Sequence, residues 1–498
     1  MQDLKWFSKF TKQMLDAEEM KAVEINAEHL GLAKIQMMES KGKALADFVN
    51  ERFRSARKLL VLCDNGESGG MGFVAARHLA SKHDVTVGLL RGEEKIEDPS
   101  TLINLKLLES SGVEIIEDTE NLNKMIKAAD LVIAAWDARK YDGKEAVEAV
   151  NRAEKEVIAI DSSVDTPGDH KNTIKAGYIV TFHKMKKWLL NHTKTNRIEC
   201  SDIGIPIEAE VYTGPGDLWM AMPKKNLFDN KLSYGRVLII GGSWEFHGAP
   251  VMSANAAYNT LAALRAGAGY VVLLVPNKLI NVARKISPNL IVKGAGEEYI
   301  EDFESVKHEI DKSNVIGIGM GIGRKDSTLN AIKKIVKYSV SKNKRIIIDA
   351  DALYALKRTA LSKEAVVTPQ EKEFEAIYGE KPDSSLEIRT RQAMELANKL
   401  NSIVILKGHI TIITDGKIIK LNKTQTAALA TMGTGDVLTG ITAGFATNNK
   451  QQMFDIAAGA VYLHGLIGDM LAKEKGPYIL ASDLVDRIPI ALSQYAGE

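Results

Sequence analysis

The chain has 498 residues, 45% hydrophobic and 26% charged, with 65 Lys and Arg against 64 Asp and Glu for a formal net charge of +1. That length exceeds one ordinary hydrophobic core, so two to four domains are expected, and the neutral balance argues against nucleic acid or an acidic membrane as partner. Cys63 and Cys200 are the only cysteines, too few for a disulfide framework or a cysteine-built zinc site.

The first thirty residues are charged and amphipathic, without the apolar core and small-residue cleavage site of a signal peptide. Apolar runs along the chain are shorter than a membrane span or broken by Gly and charge. The expectation is a cytoplasmic enzyme with no membrane partner.

Short apolar runs predict strands at Leu59–Cys63, Val85–Leu90, Leu131–Ala135, Val157–Ile160 and Ile179–Phe182. Between the first two, "GESGGMG" (66–72) reads as a glycine-rich turn before a helix beginning near Val74. A stretch rich in Pro, Gly and polar residues (213–235) carries no clear periodicity and places a domain break near residue 223. Strands resume at Val237–Ile240, Tyr270–Val275, Val315–Ile318, Arg345–Ile348, Ala365–Thr368 and Ile403–Leu406. Strand–helix alternation throughout predicts two α/β domains, 1–222 and 223–498, each a parallel sheet covered by helices on both faces.

"AALATMGTGDVLTGITAGF" (427–445) carries the sharpest chemistry. Its glycine turn lets the backbone N–H groups of Gly433, Thr434 and Gly435 converge on an anion at a helix start. Asp436 then lies in the first helical turn, where a carboxylate repels phosphate. Service as general base to a hydroxyl meeting a phosphoryl group explains it better than simple capping. "IIIDADAL" (346–353) ends a strand with two carboxylates where open α/β sheets bind ligands. Glu371, Glu373 and Glu375 read equally well as helix surface, and "VILKGHITIITDG" (404–416) puts Lys407 and Gly408 at a strand's close. His464 reads as a satisfied core histidine.

These motifs, in this order, identify a resemblance. From about Lys231 to Asp483 the chain closely resembles the dehydratase domain of the NAD(P)H-hydrate repair enzymes, through "YGRVLIIGGSWEFHGAP", "ALRAGAGY", "GMGIGR", "IDADAL", "VVTPQEKEF", "VILKGHITI", "ATMGTGDVLTG" and "VYLHGLIGD". The resemblance implies a ribokinase-like α/β/α fold and NADHX and NADPHX as small-molecule substrates. It also implies ADP-dependent dehydration of the S hydrate (ATP in the eukaryotic type) with Mg²⁺, release of AMP and phosphate, and a homo-oligomer. It places Ala249, Gly321, Gly323, Gln370 and Asp436 against the hydrate. Lys407, Gly408, His409, Ile410, Thr411, Gly433, Thr434 and Gly435 fall on the nucleotide. The family has His where this chain has Gln370, which hydrogen-bonds but does not titrate.

Residues 1 to about 222 resemble the epimerase domain often fused in front, a Rossmann-like α/β/α fold that interconverts R and S hydrates. The resemblance rests on "EEMKAVEINAEHLGLAKIQMMESKGKALADFV", the glycine loop, "IKAGYIVTFHKMKKWLL" and "IECSDIGIP". The reactive positions depart from the pattern. Gly-Asn-Asn-Gly-Gly-Asp-Gly has become Gly66-Glu67-Ser68-Gly69-Gly70-Met71-Gly72, an ion-binding Asp has become Ala134, and Asp-Ile-Pro-Ser-Gly has become Asp161-Ser162-Ser163-Val164-Asp165. Asp161 keeps the place of the catalytic acid/base and a substrate contact. Ser68 and Ser163 are the remaining candidates for K⁺. The expectation is a retained fold with little or no epimerase activity, against an altered active site built on Asp161, Ser163 and Asp165. For the whole chain the competing reading is a ribokinase-like small-molecule kinase with an N-terminal nucleotide-binding or oligomerisation module.

Overall fold

The computed structural model describes residues 4–92, 95–117, 121–138, 144–164, 174–191, 197–223, 228, 235–244, 270–285, 290–357, 359–424, 426–447 and 450–495. The chain forms two compact units, Lys12–Pro206 and Met1–Thr11 with Ile207–Glu498.

The Lys12–Pro206 unit is built on a seven-stranded sheet: β1 (Lys58–Cys63), β2 (Asp84–Leu89), β3 (Glu114–Ile116), β4 (Leu131–Ala135), β5 (Glu156–Ile160), β6 (Tyr178–Phe182) and β7 (Ile198–Ser201). All pairs are parallel, in the order β3-β2-β1-β4-β5-β6-β7. The central strands are buried on both faces, which is why they read as continuous apolar runs rather than alternating ones. β3 and β7 are short edge strands, and their polar residues (Glu114, Glu199) hid them from a periodicity reading.

The second unit carries nine strands: β8 (Arg236–Ile240), β9 (Tyr270–Val275), β10 (Ile291–Gly294), β11 (Val315–Ile318), β12 (Arg345–Ile348), β13 (Ala365–Val367), β14 (Ile403–Leu406), β15 (Thr411–Thr414) and β16 (Ile419–Asn422). Their order is β10-β9-β8-β11-β12-β13-β14-β15-β16, parallel up to β14 and antiparallel for the last two pairs. β15 and β16 form a hairpin whose turn holds Gly416 at φ +93°. Asp415-Gly416 was its signal in the sequence. Two apolar clusters sandwich the sheet, so β8, with Val237 and Ile239 to one face and Leu238 and Ile240 to the other, is buried on both sides.

The break falls at 206/207, not near 223. Residues 212–221 belong to the second unit for stated reasons. Thr213 donates its hydroxyl to Asn422 Oδ1 at 2.7 Å, and Lys420 pairs with the buried Asp217 at 2.8 Å. The Pro215–Ala221 helix packs so closely on the Met453–Lys475 helix that a Cβ on Gly459 would lie 2.3 Å from Ala221 Cβ. The first eleven residues join the same unit, with Phe7 in its core and the Phe10 carbonyl accepting from Ile419 N at 2.9 Å. Met453–Lys475 is long and apolar enough to cross a membrane, but 78% of its most apolar window is buried inside the unit. It is a core helix.

Candidate functional site

In the second unit the segments quoted for chemistry gather at the carboxyl ends of the parallel strands. After β11, Gly319, Gly321 and Gly323 all adopt positive φ. Gly323 N–H donates to Asp351 Oδ2 at 3.1 Å, and Arg324 Nε donates to Asp351 Oδ1 at 2.6 Å. The second carboxylate of "IDADAL" therefore supports the glycine turn. The first, Asp349, directly follows β12 and is 2% exposed.

Three donors hold Asp349. Lys407 Nζ reaches Oδ1 at 2.9 Å, Ala350 N–H reaches the same oxygen at 2.8 Å, and the Thr439 hydroxyl reaches Oδ2 at 3.0 Å. Thr439 and Asp436 share the Thr434–Ala446 helix, which opens on Gly433 at φ +91°. That left-handed turn suits glycine, because a Cβ there costs roughly 1–2 kcal/mol.

Asp436 is 8% exposed. Burial pushes its carboxyl up to about 8, the charges of Asp349 and Glu373 add to the rise, and Lys407 opposes it. Burial also raises Glu373, against the pull of Lys407. Lys407 itself is raised: burial alone would lower it, but Asp349, Glu373 and Asp436 outweigh that. The result is one buried cation shared among three carboxyl groups. A poised base beside a held cation is what moving a hydroxyl proton near phosphate requires.

A cleft of about 960 Å³ opens over this cluster, lined among others by Gln370, Lys407, Gly408, His409, Thr411, Met432, Thr434, Gly435 and His464. It is large enough for a nucleotide. Ile410 packs instead against the apolar cluster. Gln370 caps the Glu371–Tyr378 helix, its N–H donating to Glu373 Oε2 at 2.7 Å. Ala249 lies outside the described residues. His464 does more than fill the core: it faces the cleft and bonds the Thr434 carbonyl at 2.9 Å. Asp349, Glu373 and Thr439 are the residues the sequence reading left without a role. The strand-end position of Asp349 was visible, but its pairing with Lys407, 58 residues away, was not.

In the other unit the glycine loop differs from expectation. The helix starts at Glu67, not near Val74, so Gly69, Gly70 and Gly72 lie within it. A Cβ on Gly69 would stand 1.9 Å from the Asp64 carbonyl oxygen. This glycine therefore serves close packing. Asp64, buried and raised by that burial, accepts from Gly66, Gly69 and Asp137 N–H groups.

Ser68 Oγ lies 2.8 Å from Ser162 Oγ, which lies 3.3 Å from the Trp136 carbonyl. Ser163 Oγ accepts from Trp136 N–H and faces the Trp136 and Ala134 carbonyls. Both hydroxyls are engaged with protein oxygens. Among the described residues no three His, Cys, Asp or Glu gather to hold a metal ion. A hard cation wants about six oxygens; among the described residues the Ser68 and Ser163 hydroxyls and the Ala134 and Trp136 carbonyls are the oxygens gathered here. Asp161 accepts from the Thr181 hydroxyl at 2.5 Å and stands 3.5 Å from the buried Lys186 ammonium. Nearby charges are paired too, Glu67 with Lys34 at 2.6 Å and Glu24 with Lys41 at 2.5 Å. Asp165 lies outside the described residues.

A mostly parallel sheet with a buried lysine–carboxylate pair and a glycine turn at its carboxyl edge marks the second unit as an α/β domain of ribokinase-like fold. A ribokinase-like superfamily protein from Enterococcus faecalis matches with TM-score 0.50 and 28% identity, over 58% of this chain and 97% of its own. The family described as NAD(P)H-hydrate dehydratase matches residues 237–490, and that described as YjeF-related protein N-terminus matches 34–188. Bifunctional NAD(P)H-hydrate repair enzyme Nnr of Pyrobaculum aerophilum is 33% identical, over 96% of this chain and 98% of that protein. Its namesake in Hyperthermus butylicus is also 33% identical, over 95% and 90%. The chain belongs to the family of bifunctional NAD(P)H-hydrate repair enzymes. That membership, extending over both units, outweighs the kinase reading.

Proposed function

We propose that this protein restores NAD(P)H from its hydrate, and that the second unit performs a nucleotide-dependent dehydration of the S form. The observation that carries the reading is the burial of Asp436 in the first turn of a glycine-started helix, beside Lys407 and Asp349 and under a nucleotide-sized cleft.

Hydroxide is a poor leaving group and phosphate a good one. Asp436 takes the proton of the hydrate's hydroxyl as that oxygen attacks the terminal phosphoryl group of the nucleotide. Lys407 and the N–H groups of the 433–435 turn balance the charge on the transferred group. The ring nitrogen then expels phosphate, and loss of a proton from the adjacent ring carbon restores the double bond, leaving NAD(P)H, phosphate and, when ADP is the donor, AMP. ADP is the donor we favour over ATP, following the family's archaeal and bacterial type. Gly321, Gly323 and Gln370 contact the hydrate, and Lys407, Gly408, His409 and Thr411 with Gly433 to Gly435 contact the nucleotide. Mg²⁺ would ride on the nucleotide phosphates, since it keeps most of its waters and needs few protein ligands; no step here depends on it.

The first unit keeps the epimerase fold with Asp161 in place but has little or no epimerase activity, and potassium plays no part in this reading. The protein is cytoplasmic and homo-oligomeric. The test is direct: purified full-length protein with S hydrate, Mg²⁺ and ADP or ATP should regenerate NADH absorbance. No turnover with either nucleotide, alongside phosphorylation of a simple alcohol, would reverse the choice against a small-molecule kinase.

A further inference from the structure

Asp349 sits where three parts of the second unit meet. It follows β12, it receives Lys407 from the end of β14, and it receives Thr439 from the helix that carries Asp436. Each contact has a different consequence.

The Lys407 ammonium is placed over the glycine turn: a Cβ built on Gly435 would lie 3.4 Å from Nζ and 3.9 Å from Asp349 Oδ2. Lysine has four rotatable side-chain bonds and a strongly hydrated head, so nothing intrinsic keeps its charge at that spot. The 2.9 Å pair with a carboxylate that is itself held by a backbone N–H and a hydroxyl does keep it there. The same carboxylate fixes the helix one turn beyond Asp436, through Thr439. Its charge is also one of two negative neighbours facing Asp436, the other being Glu373, with Lys407 the opposing positive one.

We propose that Asp349 is the positioning residue for phosphoryl transfer: it pins the Lys407 ammonium over the 433–435 turn and ties that cation to the helix bearing Asp436. The inference rests on the nucleotide-dependent dehydration described above. Asp349 touches neither hydrate nor nucleotide in this role; it acts through Lys407 and Asp436. A carboxylate only needed to cap the turn at Ala350 would serve equally well as an amide. A carboxylate that anchors a cation and biases a base would not.

Asp349→Asn in the full-length protein separates the two. The amide keeps the size and can still accept from Ala350 N–H, but it loses the charge. Affinity for the nucleotide should fall, with KM up about fivefold or more, and kcat should drop about tenfold or more as the cation wanders. The acid limb of kcat/KM should move to lower pH, because a negative neighbour of Asp436 has gone. That movement is the readout a purely structural role would not produce. Thr439→Val provides the second measurement: it keeps every charge and should lower kcat severalfold, with the modest fall in melting temperature expected of losing one buried hydrogen bond to a carboxylate.

The inference is overturned if Asp349→Asn keeps the wild-type pH profile and nucleotide KM. Should that variant fail to fold, unchanged kcat and KM in Thr439→Val overturn it instead. Wild-type turnover of the S hydrate is the control. Its absence would refute the assigned reaction, whereas active wild type with indifferent variants would refute only the role of Asp349.

Discussion

The His464 imidazole donates its Nε2 proton to the Thr434 carbonyl oxygen at 2.9 Å, bracing the first residue of the helix that carries Asp436. Burial holds this imidazole well below its ordinary value, at about 4, although the Thr434 carbonyl favours the charged form and Lys407 disfavours it. The ring is neutral at physiological pH, with the donated proton on Nε2. A buried His kept neutral stabilises the fold above its unfolded value of about 6.5, and this contribution is lost as pH falls through about 4. His464→Gln keeps a donor and removes the titration. Its stability relative to wild type should therefore improve between pH 7 and pH 4.5 in urea unfolding. An unchanged difference at the two pH values would show that this ring does not titrate with folding.

Asp436 has the opposite sign. Its folded value is raised to about 8, so its stabilising share is complete below the unfolded value of 3.8 and is lost as pH rises through 8. Asp436→Asn should accordingly gain stability over wild type by a few kcal/mol, as an order of magnitude, between pH 5 and pH 9. Equal gains at both pH values would contradict the raised carboxyl.

The same carboxyl governs rate. A base must be ionised to act, so kcat/KM for the S hydrate should climb toward pH 8 and level off above it. Asp436→Asn should lower kcat about 10²–10⁴-fold while calorimetry shows nucleotide binding within a fewfold of wild type. Substantial turnover by the variant would remove Asp436 from the reaction.

Much of this architecture was legible because the central strands are buried on both faces. Leu131–Ala135, Tyr270–Val275, Val315–Ile318, Arg345–Ile348 and Ile403–Leu406 have the residues predicted for them. The edge strand Ile291–Gly294 is too short to show a period, and β15 and β16 depended on recognising the Asp415-Gly416 turn. The site divides in the same way. Gly433 and Asp436 announce themselves because a glycine turn and a carboxylate are adjacent in the chain. Asp349, Lys407, Glu373 and His464 become a site only through folding, since 58 residues separate Lys407 from Asp349 and 30 separate His464 from Thr434. The glycines at 69, 70 and 72 misled for a related reason. Glycine allows close approach, and the sequence does not say whether a ligand or a neighbouring backbone approaches.

Lys407 is 17% exposed in its side chain and its partner Asp349 only 3%. Removing the cation by Lys407→Met leaves a buried carboxylate short of a partner, a change that typically costs about 3–5 kcal/mol. The further change Asp349→Leu should return much of that stability, because well-packed apolar residues often replace a buried pair without loss. Nucleotide binding should stay lost in both. A double variant no more stable than Lys407→Met in chemical denaturation would mean that the pair contributes little beyond its packing.

The first unit offers the remaining test. In it, Asp161 is held by Thr181 and stands near the buried Lys186, while Glu67 and Glu24 are engaged by Lys34 and Lys41. Lys186 in turn donates to the Phe182 and Lys184 carbonyls at 2.8 and 2.7 Å, which ties it to the sheet edge rather than leaving it to shuttle protons. The Ser68 and Ser162 hydroxyls bond to each other, and those of Ser162 and Ser163 bond to backbone carbonyls. A catalyst for R-to-S exchange needs an acid/base group that can change partners as the hydrate reacts, whereas Asp161 Oδ2 is engaged by Thr181 and faces Lys186. Full-length protein given pure R hydrate, ADP and Mg²⁺ should therefore yield NADH no faster than a mixture in which epimerisation is left to solvent. Adding K⁺ should not change that rate, whereas pure S hydrate should be consumed at the full dehydratase rate. Faster conversion of R hydrate in K⁺ than in Na⁺, abolished by Asp161→Asn, would establish a working epimerase on the altered loop.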